Sequence, residues 1–110
     1  ITGPGSPSVL SNMPVAIEHH VEWIADCIAH MNQQSATRVE ATEQAQDAWI
    51  EHVAEVVQAS LIGKGDSWYV GANIPGKPRV IAPYTGGQPM YRERCQPVAK
   101  AGYKGFVFNS

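Results

Sequence analysis

Glu18, His19, His20 and Glu22 crowd into five positions, and His30 and His52 add two further imidazoles, so metal ligation is the first chemistry to test. Ligands on one helix face need a spacing of three or four, as in HExxH. His19 and His20 are adjacent and diverge by about 100° around a helix axis. The spacing therefore predicts solvated or interface histidines and no metal site. Serine, histidine and aspartate are all present, but no GxSxG elbow holds a serine under strain, so a hydrolytic nucleophile lacks support and no catalytic residue is assigned. A second constellation is "DSWYVGANIPGKPRV" (Asp66 to Val80), where Trp68 and Tyr69 precede a Gly/Pro loop carrying Lys77 and Arg79. Adjacent aromatics on a strand would put one ring in the core and one outside, leaving the cations as surface charges. Alternatively, an indole N–H and two cations on such a loop make a lid over an anionic ligand. The residue pattern leaves both readings open. A third stretch, "GPGSPS" (Gly3 to Ser8), feeds a helix start, where free N–H groups and the helix dipole favour negative charge. It has neither a GxGxxG after a strand nor a terminal Gly-Lys-Ser/Thr, so it is no nucleotide fingerprint.

The elements that must position these groups follow from local signals. Ser11 or Asn12 is a suitable N-cap, Pro14 is tolerated in a first turn, and Ile17, Val21, Ile24, Ile28 and Met31 recur at helical spacing. The spacing predicts an amphipathic helix over about 12–33, its apolar face widened by Ala16, Trp23 and Cys27, with Glu18, Glu22, Asp26, His30 and Gln33 on the other side. "TRVEA" alternates as a short strand, with Thr37, Val39 and Ala41 inward. Thr42 caps a second helix whose apolar positions run from Ala45 through Trp49, Val53 and Val57 to Leu61, stopped by "GKG" at 63–65. "RVIAPY" reads as another strand, and "TGGQP" turns into a third helix over about 88–101 that ends at Gly102. Pro97 should kink or break it. "GFVF" closes the chain as a small strand.

At 110 residues the chain makes one small α+β unit of two or three amphipathic helices with short strands. Charged residues reach 16 %, against about 25 % in ordinary soluble domains, which points to surface shared with other protein. The charge is also split: residues 1–60 carry eight acids and one base, residues 61–110 seven bases and two acids. Halves that neutralise each other across a fold explain this more simply than a basic face awaiting an anion. No membrane-length apolar run and no secretory layout occur, so a cytoplasmic protein is expected, without a membrane or nucleic-acid partner. Cys27 and Cys95 have no disulfide or metal spacing and are expected as reduced, mostly buried thiols.

Taken in order, "GPGSPSVLSNM", "IEHHVEWI", "VEAT", "AWIEHV", "DSWYVGANIPGKPR", "PYTGG" with "YR", and "GYKGFVF" resemble the C-terminal portion of Baeyer-Villiger monooxygenases, above all the phenylacetone and cyclohexanone monooxygenase group. The resemblance spans nearly the whole chain. It implies a fragment of a larger two-dinucleotide-domain α/β flavoenzyme that uses FAD, NADPH and O2 to insert one oxygen beside a ketone carbonyl, giving an ester or lactone. The matched motifs imply a pocket loop and helix over 1–34, a strand and helix over 35–62, a mobile cofactor loop and strand over 63–85, and a C-terminal helix and strand over 86–110. Ser8, Val9, Leu10 and Ser11 match the loop lining the ketone pocket. Met13 matches a residue whose backbone meets the flavin ring, and Trp68 matches a tryptophan that hydrogen-bonds bound NADP. Lys77 and Arg79 lie in the matched motif without an assigned phosphate contact, and Pro14 departs from the family pattern after Met13. The family's glycine fingerprints lie outside this chain, so the resemblance implies a partner, the remainder of the monooxygenase, and an inactive chain when alone. Two alternatives are a stand-alone helical interaction module and a flavin monooxygenase acting on nitrogen or sulfur. Lactone formation from cyclic ketones separates the last from the main reading.

Overall fold

The structure is a computed structural model that describes residues 2–7, 11–64, 70–78 and 80–110. Helix α1 runs Met13–Gln33, with Asn12 as its N-cap: the side chain accepts from the Val15 N–H at 3.4 Å, and Pro14 sits in the first turn. Strand β1 (Arg38–Ala41) leads through Thr42 into helix α2 (Glu43–Gln58), where Thr42 Oγ1 accepts from the Ala45 N–H at 3.2 Å. Helix α2 ends at Gln58, short of the Gly63 stop read from the sequence, and a short 3-10 turn takes over at Leu61–Lys64. The hydroxyl of Ser60 donates to the Val57 carbonyl at 2.8 Å and satisfies one of the last open carbonyls of α2. Helix α3 spans Gly87–Lys100 and strand β2 spans Phe106–Asn109.

β1 and β2 form a two-stranded antiparallel sheet with Val39 opposite Phe108 and Ala41 opposite Phe106. The Thr37 N–H to Asn109 carbonyl bond (2.8 Å) and the Thr42 N–H to Gly105 carbonyl bond (2.9 Å) extend the ladder at both ends. Gly105 is required at the turn into β2. Its φ is +94°, and a Cβ there would lie 2.9 Å from the Ala45 Cβ on α2.

Four local expectations are corrected. All four β1 residues are exposed, so Val39 and Ala41 do not face a core: a two-stranded sheet buries little on either side. Among the described residues of 80–84 there is no strand. Pro83 cannot donate, and the neighbouring loop contains Pro4 and Pro7, so no ladder can propagate. Helix α3 continues through Pro97 to Lys100. The bond that Pro97 forfeits would have ended on the carbonyl of Glu93, and both residues are exposed, so that carbonyl can be served by water. The largest correction concerns α1. It buries Ala16, His19, His20 and Cys27, while Ile17, Val21 and Ile28 are 39–52 % exposed.

Burial is accordingly thin. Two aromatic clusters and one aliphatic cluster (Val57, Val70 and Ile81, with Val53 and Ala72 against them) hold the described residues together. In the first aromatic cluster Tyr103 meets Trp23 edge-on at 5.0 Å and lies near His30 and Phe108, while the Trp23 indole N–H donates across to the Cys95 carbonyl on α3 at 3.2 Å. Tyr103 takes a left-handed backbone (φ +60°) to reach this place. The radius of gyration, 15.4 Å, exceeds the roughly 13 Å of a compact domain of this length.

Candidate functional site

The second aromatic cluster organises the candidate site. Tyr84 is fully buried, stacked on Trp49 of α2 at 5.5 Å and 13°, and edge-on to Tyr91 of α3 at 5.3 Å. Its hydroxyl lies 2.8 Å from His52 Nε2, and its backbone N–H donates to the Ser6 carbonyl at 3.2 Å. Gly86 makes room for the ring, since a Cβ there would sit 2.8 Å from Tyr84 Cε1. The loop of residues 2–7 is itself folded inward. Ser6 is 3 % exposed and its hydroxyl donates to the Gly3 carbonyl at 2.8 Å, Pro7 is fully buried, and Thr2 Oγ1 lies 3.0 Å from His20 Nδ1.

Residues 70–78 form a second loop with two successive turns, closed by Ile74 N–H to the Gly71 carbonyl (3.1 Å) and Lys77 N–H to the Ile74 carbonyl (3.3 Å). Val70 at its start and Ile81 just beyond it are buried together on Val57 of α2, whereas Ile74 between them is half exposed. The loop is thus pinned at both ends and free in the middle. From Ile81 the chain runs through Ala82 and Pro83 to Tyr84, which brings it beside Gly5 and Ser6. A Cβ on Gly5 would lie 3.7 Å from the Ala82 carbonyl oxygen. Two loops some seventy residues apart in sequence are thereby brought together. An open, mainly apolar cavity of about 570 Å³ lies between α2 and this stretch, lined in part by Trp49, Val53, Val70 and Ile81.

Of the expected site residues, Ser8, Val9, Leu10 and Trp68 lie outside the described residues, as do Tyr69 and Arg79. Ser11 is half-buried just before the Asn12 cap. Met13 opens α1 with its side chain 41 % exposed. Pro14 has no N–H and the Val15 N–H is taken by Asn12, so the Met13 amide is a first-turn donor with no acceptor among the described residues. Lys77 is exposed, its aliphatic stem lying over Gly71. Tyr84, His52 and Ser6 carry no local pattern that marks them. Only the contacts across 32 and 78 positions reveal their connection.

The histidines correct another expectation. His19 and His20 are 5 % and 8 % exposed, packed edge-on against Tyr91 at 5.9 and 5.4 Å, and the Gln88 amide donates to His19 Nδ1 at 3.4 Å. Among the described residues no group of three or more His, Cys, Asp and Glu side chains is gathered as metal ligands. Both cysteines are free thiols, Cys27 buried and Cys95 half-buried. Burial raises both thiols above their usual range and pushes the Tyr91 phenol up to about 12, with Cys95 contributing. No described helix is long and apolar enough to cross a membrane.

Burial also lowers His19, His20 and His52 below the ordinary histidine value of 6.5. Arg92 and the neighbouring His20 add to this at His19 against Glu22, and Arg94 adds at His52 against Glu55. An unfolded chain would take protons on these imidazoles near 6.5, and the folded chain only at lower pH. The stability held at neutral pH is therefore lost progressively as pH falls below about 6.5. The expected result is a melting temperature that declines from pH 7 to pH 5 in the full-length protein containing this segment. His20→Asn should make that decline shallower, and an unchanged slope in the variant would count against this origin.

No protein-family model matches the chain. It is 42 % identical over 107 residues to an acetone monooxygenase (methyl acetate-forming) of Gordonia sp. strain TY-5, covering 96 % of this chain and 20 % of that protein. A Baeyer-Villiger monooxygenase of Pseudooceanicola batsensis is 39 % identical, with 97 % and 19 % covered, and a phenazine N-monooxygenase of Lysobacter antibioticus is 37 % identical, with 96 % and 20 % covered. Among solved structures, an oxidised steroid monooxygenase bound to NADP superposes with a TM-score of 0.86 at 43 % identity, over 99 % of this chain and 20 % of that one. OTEMO in complex with FAD and NADP gives 0.80 at 29 % identity, over 92 % and 18 %. The chain spans about a fifth of the length of the curated relatives it matches.

Proposed function

We propose that this chain, which is similar to about a fifth of the length of several Baeyer-Villiger-type monooxygenases, is a segment of such a flavoprotein and supplies one wall of the ketone pocket and the loop that closes over NADPH in a full-length enzyme making esters or lactones. The observation that carries this reading is the agreement of sequence and backbone with such enzymes over 96–99 % of the chain. The pinned loop at 70–78 beside the inward-folded loop at 2–7 gives it a physical form. In this proposal Ser8, Val9, Leu10 and Ser11 bound the space in which the ketone lies, and their size sets which ketone fits. The open Met13 amide at the positive end of α1 fits an electron-rich flavin edge and would orient it through one hydrogen bond. When bound, FAD supplies the electron transfer from NADPH and the activation of O2. Trp68 donates its indole N–H to the nicotinamide cofactor, and the loop around it keeps water from the pocket.

The remainder of the flavoenzyme is the partner. Met13, Ile17, Val21 and Ile28 leave an apolar stripe along α1 that the described residues do not cover, which is consistent with the thin core and the low charge. Alone, the segment holds no dinucleotide fingerprint and would not turn over.

The test is oxidation of cyclohexanone by the full-length enzyme with NADPH under 18O2. Caprolactone carrying one labelled oxygen is the expected product. The N-monooxygenase among the relatives favours one second reading, oxidation at nitrogen. N-oxide from a phenazine with no lactone from any ketone would establish it in place of the first.

A further inference from the structure

The stretch from Ile81 to Tyr84 joins the two loops by a short and stiff path. Ile81 is seated with Val70 on α2 at the foot of the loop 70–78. Three residues later, a span of roughly 10 Å at most, Tyr84 is held by its backbone to Ser6 and by its hydroxyl to His52. Between them stands Pro83, buried, with a fixed φ, and its ring restricts Ala82 to extended conformations as well. Such a link has little slack. A displacement of the loop foot at Ile81 is delivered to Tyr84 and so to Ser6 provided that Tyr84 does not take it up by turning, and the hydroxyl contact with His52 on α2 keeps it from doing so. The ring is confined by Trp49, Tyr91 and Gly86, so it can shift only with α2 and α3.

We propose that Tyr84, through its hydroxyl contact with His52, is a positioning residue that couples the loop 70–78 to the loop 2–7, so that nicotinamide cofactor at the first changes ketone affinity at the second. This rests on the cofactor and pocket roles proposed above and adds the residue through which the two sites communicate. Coupling of this kind is reciprocal: ketone must change NADP+ affinity by the factor with which NADP+ changes ketone affinity.

The experiment uses oxidised full-length enzyme and measures the Kd of NADP+ with and without saturating cyclohexanone. The expected result is a change of about fivefold or more, within the usual range for coupled sites. It should fall below about twofold in Tyr84→Phe and His52→Leu, and persist in His52→Gln, whose amide can still meet the hydroxyl. Tyr84→Phe keeps the ring and the bond to Ser6, so a purely structural role would leave the coupling ratio intact in that variant. Full coupling in both Tyr84→Phe and His52→Leu, or none in the parent enzyme, overturns the proposal. If Trp68→Ala leaves the NADP+ Kd unchanged as well, the cofactor role of the loop has failed. If Trp68→Ala weakens NADP+ while coupling survives loss of the hydroxyl, only the Tyr84 tie has failed.

Discussion

Trp68→Ala, made in the full-length flavoenzyme, is expected to lower kcat/KM for NADPH by roughly 10- to 100-fold and to divert more of the reduced cofactor to hydrogen peroxide. The magnitude is that of one hydrogen bond from a neutral donor to a charged or strongly polar ligand, about 1.5–3 kcal/mol. The loss should grow with the order that the bond imposes on the surrounding loop. Val70 and Ile81 lie buried on α2 on either side of the exposed stretch, so the loop is anchored at both ends. Trp68 precedes Val70 by two positions in sequence, so the anchored ends of the loop 70–78 limit how many neighbouring residues must be ordered when its indole meets a ligand. Trp68→Phe separates the contributions: it keeps an aromatic face, lacks the N–H, and should recover only part of the loss. Steady-state kinetics with NADPH varied, together with a peroxide assay, read both effects. Unchanged NADPH kinetics and unchanged coupling of NADPH consumption to product would remove Trp68 from the proposal.

Tyr84→Ala should cost about 3–5 kcal/mol of local stability, the range found when a buried aromatic ring is deleted and the surrounding wall relaxes only in part. Tyr84 is fully buried between α2, α3 and the loop 2–7, so its removal opens a cavity among Trp49, Tyr91 and Gly86 and leaves His52 Nε2 without its hydroxyl partner. Tyr84→Phe keeps the packing and forfeits about 1 kcal/mol for the hydrogen bond. Amide hydrogen exchange along α2 and α3 is the appropriate measurement, because it reports opening of the region rather than of the whole enzyme. Exchange in Tyr84→Ala should be faster by roughly two to four orders of magnitude, and in Tyr84→Phe by less than about tenfold, as these free energies require. Equal protection in the parent and Tyr84→Ala would show that the stack does not hold these helices.

Much of the local structure was legible from the chain alone. Asn12 and Thr42 cap the two long helices as their side chains predict, α3 ends just before Gly102, and "GFVF" supplies the last strand. These features depend on side chains meeting backbone groups within four or five residues, so their energetics are written into short stretches of sequence. The family likeness was legible too, because "DSWYVGANIPGKPR" is long and specific. The direction in which each element faces was not. Ile17, Val21 and Ile28 have the spacing of a core stripe and are exposed, while His19 and His20 on the same helix are buried against Tyr91. Helical periodicity states that a helix has two faces, and what lies against each face decides which is covered. Pairing of Val39 with Phe108, the bond from Trp23 to Cys95, and the meeting of Ser6, His52 and Tyr84 likewise span some thirty to eighty positions. The sequence by itself determined the helices, their caps and the family likeness. Only the tertiary structure decided which surfaces are buried and that the two loops share one stiff link, because burial and long-range pairing arise from the packing of distant segments, which no local pattern encodes.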